Sequence, residues 1–261
     1  VVRVNESRPW WLWPNLLALD APAVAVTWQM FLASRAGVAL PLTVSVVLGL
    51  VVWGVYLADR GLDARNGADA LDRHRIAGHN PIVWATAAVA VLLCAAVLAL
   101  VALPRTHLSI GFLVAAATTA YFATIHLLRA KWVLDRGGKE AAVGAVFAAG
   151  VAVPLIAGAV PLADWFPGVV AFAALCWLNC ALISVWEEGV VSGPPLWVPG
   201  VAGICCLIAA HGAEPAVAAA VVASASALVA MHLARARVSV RAKRVLADVV
   251  LLTPLVVPVW L

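Results

Sequence analysis

The residues best suited to chemistry lie in one stretch, Tyr56-Leu57-Ala58-Asp59-Arg60-Gly61-Leu62-Asp63, continuing through Arg65, Asn66, Asp69, Asp72, Arg73, His74 and Arg75. Asp59 and Asp63 stand four apart at the end of an apolar run, so on a helix their carboxylates share one face. Two such acids repel each other beside lipid unless something positive stands between them. A divalent cation is one answer, because Mg²⁺ takes one or two carboxylates together with substrate phosphates. A solvated loop, with the acids paired to Arg60, Arg65, Arg73 and Arg75, is the other. Glu187-Glu188 closes a second apolar run. Its plain reading is a solvated helix end; its functional reading sets these acids opposite Asp59 and Asp63, across a shared cavity. Cations come from Arg129, Lys131, Arg136 and Lys139, with Gly137-Gly138 leading into the next apolar run. Lys and Arg beside free backbone N–H groups at a helix start suit a phosphate; charges facing lipid headgroups are the alternative. The cluster Arg235, Arg237, Arg241, Lys243 and Arg244 reads as headgroup-facing.

These residues are positioned by hydrophobic helices. Of the 261 residues 65% are hydrophobic and 11% charged, where a soluble domain carries about a quarter charged. The mean hydropathy is +1.03. Apolar runs of about 17 to 22 residues match the length a helix needs to cross roughly 30 Å of hydrocarbon. The pattern predicts nine spans, near 19–36, 38–58, 82–103, 108–128, 140–160, 166–186, 195–212, 215–234 and 245–261. Residues 1–18, rich in Trp and lacking the apolar core of a signal peptide, are expected to lie at the membrane surface on the cytoplasmic side, and 19–261 to form the transmembrane bundle. With nine spans, fifteen of the seventeen Lys and Arg fall on one side, and only Arg35 and Arg105 on the other. Positive charge accumulates inside, so the N-terminus and the motif loops are expected to be cytoplasmic, in a bacterial inner membrane. The formal charge of +4 is accounted for by these loops, and no nucleic-acid partner is expected. The five cysteines fall in apolar spans and read as small packing residues, Cys176 and Cys180 included.

Nine helices, an aspartate motif after the second, a basic loop after the fourth and an acidic motif after the sixth resemble the UbiA superfamily of membrane-embedded prenyltransferases. Tyr56-Leu57-Ala58-Asp59-Arg60-Gly61-Leu62-Asp63 is similar to that family's Asn-x3-Asp-x3-Asp motif. Asn66, Arg73 and Arg75 resemble the polar residues behind it. Lys139-Glu140 through Gly144, Phe147 and Gly150 resemble the start of its fifth helix, and Leu178-Asn179 through Trp186-Glu187-Glu188 stands where its second acidic motif is expected. The resemblance implies an isoprenyl diphosphate as donor and Mg²⁺ as cofactor. It implies catalytic roles for Asp59, Asp63 and Lys139, and metal contacts from Asp59, Asp63, Glu187 and Glu188. Substrate contacts are implied for Tyr56, Arg60, Arg73, Arg75, Lys131, Arg136 and Asn179. Two positions depart from the pattern: Val55 replaces the first Asn, and Gly189-Val190-Val191 lacks the expected second acid. A non-catalytic member that binds an isoprenoid lipid or a partner protein is the alternative reading. Transport ranks third, because ionisable groups are scarce in the spans, Asp248 being one exception.

Overall fold

The computed structural model describes residues 9–65, 80–124, 138–192 and 195–256, which are all-helical and contain no strand. After a short turn over Trp10–Leu16 come nine helices of eleven or more residues. They are α1 (Asp20–Arg35), α2 (Leu42–Arg65), α3 (Pro81–Ala102), α4 (Arg105–Phe122), α5 (Gly138–Ala157), α6 (Leu162–Ser192), α7 (Trp197–His211), α8 (Pro215–Leu233) and α9 (Val240–Val250). Proline marks their starts. It is the first residue of α3 and α8 and immediately precedes α2, α4 and α6. A first-turn N–H has no intrahelical acceptor, so a residue without one costs nothing there.

Five helices, α2, α3, α5, α6 and α8, are long and apolar enough to cross a membrane. The Trp10–Leu16 turn and α1, bent by 74° against each other, add a sixth if they count as one broken span. The chain is therefore a helical membrane protein with five or six helices of membrane-crossing dimensions among the described residues, fewer than the nine expected. The shortfall has visible causes. α7 is apolar but only 15 residues long. α4 opens with Arg105, Thr106 and His107. α9 is an eleven-residue helix carrying Arg241, Lys243, Arg244 and Asp248.

The architecture is organised on α6, which packs against α1, α5, α7, α8 and α9. Of its most apolar stretch 67% is buried, against 11% for α3, which packs mainly on α2 and offers Ile82, Val89, Leu93, Val97 and Leu100 to its surroundings. Such a surface suits hydrocarbon and not water. Where α5 crosses α6, a β-carbon on Gly144 would stand 2.5 Å from the Ala173 carbonyl oxygen, so glycine permits the close approach. In the core, Trp28 of α1 stacks on Phe172 of α6 with centroids 4.6 Å apart.

Several helix ends differ from the sequence reading, α6 running on to Ser192 among them, and side chains explain one of the two that bear on the site. The span expected over 245–261 stops at Val250 because Pro254 has no N–H for the Val250 carbonyl. That carbonyl instead accepts from Ser224 Oγ at 2.8 Å, and the Leu251 carbonyl accepts from Trp28 Nε1 at 2.7 Å. The chain then passes into a 3₁₀ turn over Thr253–Leu255. α2, expected to end at 58, runs on to Arg65 and so carries Asp59, Arg60 and Asp63 on one continuous helix.

Candidate functional site

On α2, Tyr56, Asp59, Arg60 and Asp63 fall at intervals of three, four and seven residues, which places these positions on one face. Arg60 is buried, and its Nη1 donates to the Leu16 carbonyl at 2.6 Å. Leu16 belongs to the N-terminal turn, which is brought over α2 by a reversal at Ala18, a non-glycine residue at φ +57°. Trp53 Nε1 fastens the same turn through the Leu17 carbonyl at 2.9 Å. From this turn the buried Asn15 donates its amide to Asp20, at the first turn of α1.

α6 contributes Asn179, Cys180 and Ser184. Asn179 is 5% exposed and donates through Nδ2 to Asp248 Oδ1 of α9 at 3.1 Å, while its own Oδ1 has no partner. Asp248 also lies within hydrogen-bonding reach of the Asp20 carboxyl and feels the charge of Arg60. Ser184 donates to Glu140 Oε1 at 3.1 Å, leaving Glu140 Oε2 buried without a partner. Lys139 and Glu140, in the first turn of α5, both bear electrostatically on Cys180. Beneath them lies a cavity of about 30 Å³ whose wall includes Tyr56, Phe147, Asn179, Cys180 and Asp248. The Tyr56 and Phe147 rings meet edge to face across it, 6.3 Å between centroids.

The helices thus bring two of the expected residues, Tyr56 and Asn179, to the cavity wall, while Arg60 and Lys139 act on it only through their charge, felt by Asp248 and Cys180. Asp59 is half-buried on the same face of α2. Glu187 is placed differently. It forms an ion pair with Arg244 of α9, two turns beyond Asn179 on α6. Eight residues of helix put roughly 12 Å between those two positions. The side chains of Asp63 and Glu188 lie outside what the structure describes, and Arg73, Arg75, Lys131 and Arg136 fall outside the described residues altogether.

The sequence reading left out Asn15, Asp20 and Ser184, gave Glu140 no role of its own, and set Arg244, here paired with Glu187, among headgroup-facing charges. One signal for such residues was available: an isolated acid in an apolar run, as Asp248 is, needs a partner. Its partners lie 69 residues away on α6 and at the opposite end of the chain on α1, which no local spacing reveals. Set against family models, curated proteins and solved structures, the chain matches none.

Proposed function

We propose that this protein is an integral membrane transferase of the UbiA type, which binds an isoprenyl diphosphate at the pocket between α2, α5 and α6 and passes the prenyl group to an acceptor. The observation that carries the reading is that Tyr56 of α2 and Asn179 of α6, more than 120 residues apart, line one cavity whose wall residues Asp248 and Cys180 feel the charges of Arg60 and Lys139. In this reading the chain crosses a bacterial inner membrane nine times, its last crossing broken after Val250, with the pocket opening to the cytoplasm.

Mg²⁺ fits part of the expected ligand set. Asp59 and position 63 share a face of α2, so two hard oxygen donors at this spacing suit one ion whose remaining ligands are phosphate oxygens. Glu187 does not fit, because the Arg244 guanidinium already neutralises it. Among the described residues no group of three or more Asp, Glu, His or Cys is assembled for a metal. When bound, the ion neutralises the diphosphate and makes it a better leaving group. Lys139, with Lys131 and Arg136 from the preceding loop, stabilises the charge that develops on the departing diphosphate. The Tyr56 and Phe147 rings present aromatic faces to the electron-poor prenyl carbon. Because α2 and α5 meet only briefly, the prenyl chain enters laterally between them from the lipid.

A second reading, a lipid-binding protein of the same fold without turnover, is favoured by the Glu187–Arg244 pair and by the cavity's size. About 30 Å³ holds roughly one water molecule and no isoprene unit. Incubating purified protein with a panel of isoprenyl diphosphates and Mg²⁺ decides between the two. Bound lipid with released diphosphate supports transfer, bound lipid alone supports the second reading, and no binding at all ends both.

A further inference from the structure

Among the described residues, Asp248 of the cavity wall and its neighbour Asp20 are not balanced by the positive charge around them. Asp20 and Asp248 lie within hydrogen-bonding reach of each other, yet ionised carboxylates only accept hydrogen bonds, so their contact calls for a positive charge between them. Asn15 donates to Asp20 and Asn179 donates to Asp248, which strengthens the acceptor character of both acids. Arg60 supplies one fixed positive charge near Asp248. Two carboxylates and one guanidinium leave one negative charge, which is costly in a setting of low polarity. The remaining charged neighbours, Lys139 and Glu140, offset each other. Tyr56, Cys176 and Cys180 bring a hydroxyl and two thiols to the same cavity without a fixed charge.

A second observation points to a ligand. Asn179, 95% buried, lines this cavity with an Oδ1 that has no partner among the described residues, and the cavity's volume suits one particle the size of water. We propose that Asp20, Asp248 and Asn179 form a binding site for one monovalent cation, Na⁺ or a proton. One added positive charge makes the cluster neutral. A divalent ion would leave it positive. The site uses neither Asp59 nor Asp63 and holds whether or not prenyl transfer does.

The test uses the full chain in lipid nanodiscs. Thermal unfolding is followed as NaCl replaces choline chloride at constant ionic strength, and infrared spectroscopy at neutral pH reads the carbonyl band of protonated carboxyl groups. If Na⁺ is the ligand, each tenfold rise in Na⁺ above its dissociation constant raises the folding equilibrium about tenfold in the wild type. Asp248→Asn abolishes that response. If a proton is the ligand, Na⁺ has no effect, and the wild type carries a protonated-carboxyl band that Asp248→Asn and Asp20→Asn each remove. A wild type with neither the Na⁺ response nor the band overturns the proposal, whether or not the variants fold. Persistence of either signal in both variants overturns it as well.

Discussion

Glu187 and Arg244 hold each other between α6 and α9 with only 9% and 20% of their side-chain surface exposed. Removing one partner from such a pair leaves an uncompensated charge, which costs more than removing both. Arg244→Met should therefore destabilise the protein by about 3 kcal/mol, and the double variant Glu187→Gln/Arg244→Met by distinctly less, read as unfolding midpoints in one detergent. A double-variant loss equal to the sum of the Arg244→Met and Glu187→Gln losses would mean that the two side chains contribute independently. The pair also separates two roles for Glu187. If Arg244 is its counter-ion, Glu187→Gln leaves the Mg²⁺ dependence of any lipid-diphosphate binding unchanged, whereas Asp59→Asn abolishes it; a Mg²⁺ requirement lost in both variants would restore Glu187 as a metal ligand. Spacing marked Glu187 as an acid closing a helix at 186, but α6 runs on to Ser192 and Glu187 stands inside it. Its partner lies 57 residues further along the chain, and only folding chooses between a metal and a guanidinium.

Helix contacts depend on smaller features. Gly144→Val would drive a side chain into the backbone of α6, 2.5 Å from the Ala173 carbonyl and 3.1 Å from the Trp177 N–H. Overpacking of this kind costs about 1–3 kcal/mol, and the backbone of a central helix cannot swing aside as a side-chain tip does. Gly203 is the control, since nothing stands within 4 Å of its β-carbon position. Gly203→Ala should be neutral or stabilising by up to about 1 kcal/mol through helix propensity. Comparable losses at both sites would remove the close α5–α6 crossing as the cause. At the start of α8, Glu214 caps the helix by accepting from the Ala216 and Val217 N–H groups and pairs with Arg35 of α1. Burial alone would raise its pKa, but Arg35 and the two N–H groups hold it below the ordinary carboxylate value. A lowered folded-state value means that the contribution is present above the unfolded value of about 4.3 and disappears as pH falls through the folded one. Glu214→Gln should flatten this acid limb of the stability profile; an unchanged limb would assign it to other carboxylates. Hydropathy made the helices legible at this scale, because burial in lipid depends on runs of apolar residues. The end of α9 was not legible, because Ser224 and Trp28 compete for carbonyls that local sequence assigns to the helix itself.

At the scale of the molecule, two ion pairs mark opposite ends of the bundle. Arg35 and Glu214 join the last turn of α1 to the start of α8, while Glu187 and Arg244 join the far part of α6 to α9. α8 runs between those ends, 19 residues with no Lys, Arg, Asp or Glu, and covers about 28 Å of the bilayer normal if it stands upright. The residues just before it include Gly212 and Glu214, and those just after it include Arg235 and Arg237. The positive-inside rule acts on short loops of this kind, so the proposed orientation puts position 237 in the cytoplasm and position 212 outside. Single cysteines at Gly212 and Arg237, each in a background with the five native cysteines replaced, should label oppositely with a membrane-impermeant thiol reagent applied to intact cells. Position 212 should react, and position 237 only after the membrane is opened. Labelling of both from outside would mean that α8 does not cross, and the pocket could not then lie between crossing helices. A clean reversal would keep the crossing but turn the pocket, with Tyr56, Lys139 and Asn179, toward the outer face. A diphosphate made in the cytoplasm could not reach it there, so this one pair of labels tests the location on which the proposed chemistry depends.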